Sequence, residues 1–252
     1  MIRTILAMEQ FPIPAPPHDG ASRLLQPGSA FDWFRQGWAI FAVNPAVWIA
    51  MMVIVIVIYV GLAVIPVIGY LAAYLLTPLL AAGMLLACRK AAIGESLEIG
   101  DLFSGFRRDT GALMTLGVFY MLAMLLLFVL VFLLLGGGIA GGLALANPLG
   151  AGIALGGIAV AGFVWLLLSL LIVMAVWFAP ALVVFSHMPA AAALKASFHA
   201  CMKNLVSFLV YGLLTMVLCF FAALPLGLGF LVLGPVLAGS VYASYRDTFI
   251  TA

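Results

Sequence analysis

The ten basic and eight acidic residues of this 252-residue chain fall in four short blocks, Arg3–Arg35, Arg89–Asp109, Lys195–Lys203 and Arg246–Asp247. Three charge-free stretches separate them, Gln36–Cys88, Thr110–Leu194 and Asn204–Tyr245, in a chain that is 67% hydrophobic and 7% charged. A charged side chain at mid-bilayer costs about 2.5–3.5 kcal/mol on insertion scales. Charges confined to short blocks therefore imply an all-α, polytopic membrane protein that keeps them among the lipid headgroups.

A helix needs about 20 apolar residues to cross the hydrocarbon core, so each charge-free stretch holds at least two spans. Pro66 and Pro225 stand at the turning points of the first and third. The middle stretch is long enough for three, but three would put Lys195 and Lys203 on the side opposite Arg107 and Arg108. Parity favours two. Six spans follow, about Ala46–Pro66, Val67–Cys88, Thr110–Leu135, Ile158–Ser186, Leu205–Leu224 and Leu226–Tyr245. All Lys and Arg then share one side, and by the positive-inside bias both termini are cytoplasmic. Residues 1–28 carry no apolar core suited to a cleavable signal and are expected to be a disordered cytoplasmic tail.

A short amphipathic segment precedes each hairpin. Phe34-x-x-Gly37-Trp38, Leu102-x-x-Gly105-Phe106 and Leu194-x-x-Ser197-Phe198 place an apolar, a small and an aromatic residue at the same offsets. In the first, Phe31, Phe34, Trp38 and Phe41 predict the buried stripe, with Asp32, Arg35 and Gln36 facing water. The second helix of every pair carries a proline before an apolar, mostly small run, at Pro78, Pro180 and Pro235, and Arg89 and Arg246 follow the outer two at equal spacing. These matches predict three copies of one unit, about 29–90, 98–187 and 189–247, the middle one lengthened by the charge-free, glycine-rich insertion 136–157.

The stretches Gly37-Trp38 with Asn44-Pro45, Asp101-Leu102-Phe103-Ser104-Gly105-Phe106-Arg107-Arg108 and Trp177-Phe178-Ala179-Pro180-Ala181-Leu182-Val183 resemble a family of uncharacterised six-span inner-membrane proteins of proteobacteria. So do Ala196-Ser197-Phe198-His199-Ala200-Cys201 with Asn204, and Tyr242-Ala243-Ser244-Tyr245-Arg246-Asp247. More distantly the pattern is similar to the membrane part of some glycerophosphodiester phosphodiesterases, whose catalytic domain has no counterpart in this sequence. The resemblance implies a bacterial inner-membrane location and the six-helix layout. It carries over no catalytic residue.

No acid, Lys or Arg falls within a predicted span, which argues against ion-coupled transport. The glycine run Gly136–Gly142 lacks the Lys-Ser or Lys-Thr of a phosphate loop; Gly137-xxx-Gly141, Gly138-xxx-Gly142 and Gly152-xxx-Gly156 instead predict close helix packing. The insertion has no charge to hold it in water, and is expected to dip back into the bilayer or to meet a partner. His187, Met188, His199, Cys201 and Met202 are metal-ligand types at poor helical spacing, so no metal, cofactor or catalytic set is proposed from sequence. Arg35, Arg89, Lys90, Arg107, Arg108, Lys195 and Lys203 form a basic lipid-headgroup interface, read as anchoring to anionic lipid before any specific headgroup pocket. The net charge of +2 gives no patch suited to nucleic acid.

Two functions remain in view. One is a non-enzymatic scaffold or accessory subunit that meets another integral membrane protein, or a second copy of itself, through its insertion. The other is a carrier or binder of lipid or apolar small molecules, with a cavity where Pro78, Pro180 and Pro235 break their helices. An enzyme using the Arg246-Asp247 end on lipid is the weakest.

Overall fold

The structure, a computed structural model, describes residues 22–145 and 147–250, and every element among them is helical. In order these are α1 Ser29–Val43, α2 Pro45–Ala63, α3 Ile68–Ala92, a 3-10 helix Ile99–Phe106, α4 Thr110–Leu145, α5 Pro148–Val176, α6 Ala179–Ser186, α7 Ala190–Lys203, α8 Leu205–Ala223 and α9 Phe230–Phe249. Five segments are long and apolar enough to cross a membrane: α2, α3, α4, α5 continued through α6, and α8. The stretch expected to be the sixth span forms helix α9, whose last turns carry Arg246 and Asp247, and it is not among those five. The predicted turns at Pro66 and Pro225 lie in the α2–α3 and α8–α9 links, where Val67 and Leu226 take φ of 62° and 54°.

Helix α3 is the axis. In its most apolar window 56% of residues are buried inside the protein, against 6–11% for the other four candidate spans. Around it the short elements pack in a ring. Helix α1 lies on α9, the 3-10 helix on α3, and α7 on α5 and α6. Each amphipathic element thus packs on the proline-bearing helix of the unit before it, taken cyclically. The small residue common to the three segments makes the approach possible. A Cβ at Gly37 would lie 2.3 Å from the Val236 carbonyl oxygen, and one at Gly105 would lie 2.1 Å from that of Leu79. In the third segment the buried Ser197 hydroxyl donates to the Met174 carbonyl at 2.8 Å and accepts from the Phe178 N–H at 3.0 Å.

One expectation is corrected here. In α1 the face turned to the protein is Ala30, Trp33, Gly37, Ile40 and Phe41, whereas Phe31 and Trp38 are 61% and 56% exposed. Contact with α9 through Gly37 selects that face, which splits the expected stripe: Phe41 is buried and Phe34 stacks on Tyr211, while Phe31 and Trp38 are left at the surface. Residues 136–145 and 148–157 of the insertion are helical, which the sequence did not indicate. Its first half completes α4 and its second half opens α5, capped by the Asn147 side chain accepting from the Gly150 N–H at 2.9 Å. At 36 residues α4 is about 54 Å long at 1.5 Å per residue.

The charged blocks meet at one end of the bundle. Arg23 pairs with Asp247, Lys203 donates to the Ser22 carbonyl, and His187 Nδ1 lies 3.1 Å from Asp109 Oδ2. Of the expected disordered tail, residues 22–28 are therefore docked: buried Asn204 accepts from the Leu25 N–H at 2.7 Å and donates to the Arg23 carbonyl at 2.9 Å. The rest of that tail lies outside the described residues.

Candidate functional site

Pro78, Pro180 and Gly234, the residue before Pro235, line one chamber of about 430 Å³, walled by α2, α3, the α5–α6 break and α9; Pro235 itself does not line it. The three prolines act differently. Pro78 and Pro235 sit inside continuous helices, whereas Pro180 opens α6 after the chain breaks at Trp177 and Phe178. All three are buried. Small side chains create the space. Ala81, Gly234 and Ala238 line it, and a Cβ on Gly234 would stand 2.4 Å from the Met52 methyl.

The walls are apolar apart from three groups. Tyr59 O–H donates to Thr77 Oγ1 at 2.8 Å, and the Thr77 hydroxyl is itself spent on the Ala73 carbonyl at 2.7 Å. Satisfied internally in this way, the pair asks nothing of a ligand. Trp177 is the exception, because its buried indole Nε1–H has no hydrogen-bond partner among the described residues. Its ring packs edge-on against Tyr211, with centroids 5.6 Å apart, and divides the chamber from a second apolar recess of about 220 Å³ beside Met174, Cys201, Phe208 and Gly212. Burial pushes the Cys201 thiol up to about 12, partly offset by a hydrogen bond with Ser197, so it is an inert packing group.

The seven basic residues of the expected headgroup interface do not act alike. Arg35 pairs with Asp32 on the surface at 2.9 Å, Lys203 holds residue 22, and Arg107 and Lys195 are exposed. Arg89, Lys90 and Arg108 instead surround one recess of about 370 Å³ at the end of α3, with Glu95, Asp101 and Ser104. Lys90 Nζ bridges both Asp101 oxygens at 2.9 and 3.0 Å, and Asp101 also accepts from the Glu98 N–H at 2.8 Å, which fixes the start of the 3-10 helix. The Arg89 guanidinium lies 5.9 Å from the centre of the Phe185 ring.

Within the α4–α5 hairpin the close contacts fall on the predicted pair Gly138 and Gly142 and not on Gly137, Gly141, Gly152 or Gly156. Gly138 meets Gly157, and Gly142 meets Gly150, at distances a Cβ would fill. A Cβ on Gly137, Gly152 or Gly156 would meet nothing within 4 Å, and one on Gly141 would reach only the Ile153 side chain at 3.7 Å. The expected metal-ligand types are scattered: His199 Nδ1 bonds the Lys195 carbonyl at 2.7 Å, and His187 faces Asp109. Sequence reading passed over Trp177, whose missing partner no pattern announces, and the bond from Trp33 Nε1 to Asp247 Oδ2 at 3.1 Å.

A family model matches residues 29–249, a span holding the chamber, the recess and every described helix; its description is a domain of unknown function, DUF7847. The chain belongs to the DUF7847 family. A relative, the "probable inner membrane protein" of Burkholderia thailandensis strain E264, is 32% identical over 222 residues, covering 85% of this chain and 81% of its own length. No solved structure matches this DUF7847 protein.

Proposed function

We propose that this protein is a non-enzymatic integral protein of a bacterial inner membrane that binds or carries a lipid chain or another apolar molecule in the chamber between its proline-bearing helices. The observation that carries it is the convergence of Pro78, Pro180 and Gly234 on one apolar space of about 430 Å³, a size within the usual range of ligand sites. The relative's name and the five apolar helices support the membrane location. The cyclic packing of the short elements supports a sixth span at α9 and a threefold repeat, and the common end shared by the charged blocks supports cytoplasmic termini by the positive-inside bias.

The test uses Trp177 as reporter. In detergent-solubilised protein, 1-bromodecane quenches the Trp177 component of emission, taken as wild type minus Trp177→Phe, and the quenching saturates. Filling the chamber with Ala81→Leu and Ala238→Leu removes the saturable part. Linear quenching, equal in the filled and unfilled proteins, sinks the proposal.

A scaffold role rests on a separate observation. A helix about 54 Å long exceeds a hydrocarbon core of about 30 Å at any ordinary tilt. Its exposed Phe132, Leu133 and Leu143 are apolar, so the far end of the α4–α5 hairpin suits contact with another membrane protein or a second copy. Co-isolation of a stoichiometric partner, lost on shortening the hairpin, is the outcome this role requires.

A further inference from the structure

We infer that the recess at the end of α3 is a binding site for the phosphodiester of a membrane phospholipid, distinct from the chamber and independent of its role. Five charged residues line it, Arg89, Lys90, Arg108, Glu95 and Asp101, leaving one net positive charge. The Lys90–Asp101 pair is closed on itself, because both Asp101 oxygens accept from Lys90 and one also takes the Glu98 N–H. Arg89 and Arg108 are left with no carboxylate in ion-pair range among the described residues; Arg89 has the Phe185 ring for company.

Two uncommitted guanidinium groups beside one space of about 370 Å³ are the donors that match phosphate oxygens, through parallel N–H bonds from a planar fork. The charge selects the form of phosphate. One net positive charge is neutralised by a phosphodiester, which carries a single negative charge, and overmatched by a phosphomonoester at about −1.5 to −2. Depth selects the source. Arg89 and Lys90 occupy the last turn of a candidate span that ends at Ala92, at the level where hydrocarbon gives way to headgroups, and the walls include Leu86 and Ile93 for the glycerol and first methylenes.

A general electrostatic anchor weighs all surface cations alike, at about 1 kcal/mol each. The recess separates two adjacent residues of equal charge, since Arg108 lines it and Arg107 does not. That difference is the test. Full-length protein is reconstituted with a mixture of phosphatidylethanolamine and phosphatidylglycerol, extracted in mild detergent, and its retained phospholipid counted by native mass spectrometry. Wild type retains one molecule at the recess, counted as the difference from the Arg89→Gln, Arg108→Gln double variant, so that any lipid held in the chamber cancels. Arg108→Gln lowers this count about tenfold or more, the size of a lost charge-assisted bond, while Arg107→Gln stays within about twofold. Unchanged far-UV circular dichroism melting shows that the variants are folded, and the single Arg108→Gln serves where the double does not fold. Equal losses for Arg107→Gln and Arg108→Gln overturn the site in favour of general attraction, as does full retention by the double variant. Inorganic phosphate that stabilises delipidated protein as much as the phospholipid mixture overturns the lipid source.

Discussion

Alanine in place of Gly37 or Gly105 is expected to loosen the ring of short elements, and the same change at Gly212 to do the reverse. A Cβ at Gly37 lies 2.3 Å from the Val236 carbonyl oxygen and 2.8 Å from the Ser240 nitrogen, and one at Gly105 lies 2.1 Å from the Leu79 carbonyl oxygen. Ordinary contact begins at 3.4 Å, so each helix pair must part by about 1 Å, and both obstacles are backbone atoms that cannot rotate away. Overpacking of this kind costs about 1–3 kcal/mol. In helical Gly37, replacing glycine also recovers about 0.5–1 kcal/mol of backbone entropy, which leaves a net loss of roughly 1–2 kcal/mol. At about 2–4 °C per kcal/mol for a domain of this size, the melting temperature falls by roughly 2–8 °C. Gly212 is also helical, but a Cβ there meets nothing within 4 Å. Only the entropy gain remains, and the melting temperature rises by about 1–4 °C. Circular dichroism melting in one detergent reads all three variants. Were Gly37→Ala and Gly105→Ala to rise alongside Gly212→Ala, the close approach would be refuted.

Other outcomes follow from single groups. Asn204→Ala strips the Leu25 N–H and the Arg23 carbonyl of their partner, at a cost of about 2 kcal/mol, and frees the docked segment. Trypsin then cuts after Arg23 several-fold faster than in wild type, by mass spectrometry, and equal rates would show that Asn204 does not hold that segment. Trp177→Phe removes a buried donor that has no partner among the described residues; taking away an unsatisfied group is neutral or stabilising, so the melting temperature holds or rises. A fall beyond about 3 °C would mean that the indole N–H is bonded after all.

The spans were legible because the penalty for a charge in hydrocarbon is large and local. Helices α4 and α8 start one and two residues after the charged blocks that end at Asp109 and Lys203, and α3 ends within three residues of Arg89, where the next block begins. That the insertion is helical was not legible, for a related reason. Lack of charge says that a segment avoids water, but Gly136–Gly157 could satisfy its backbone by continuing two helices, and glycine pairs such as Gly138 and Gly157 let those helices close. In α1, Trp33 and Phe31 are equally apolar by type, and only contact with α9 and Asp247 decides that Trp33 is buried and Phe31 is not.

The sequence by itself determined that this chain is helical, where its charges cannot go, and which proline and small-residue motifs recur. Only the tertiary structure decided that α3 is the axis, that Pro78, Pro180 and Gly234 share one chamber, and that Arg89, Lys90 and Arg108 surround a recess while Arg107 stands outside it. The physical reason lies in the solvent. Lipid tails are as apolar as a protein core, so a spanning helix shows no polar face to mark its outside, and which side meets protein is set by shape and contact alone.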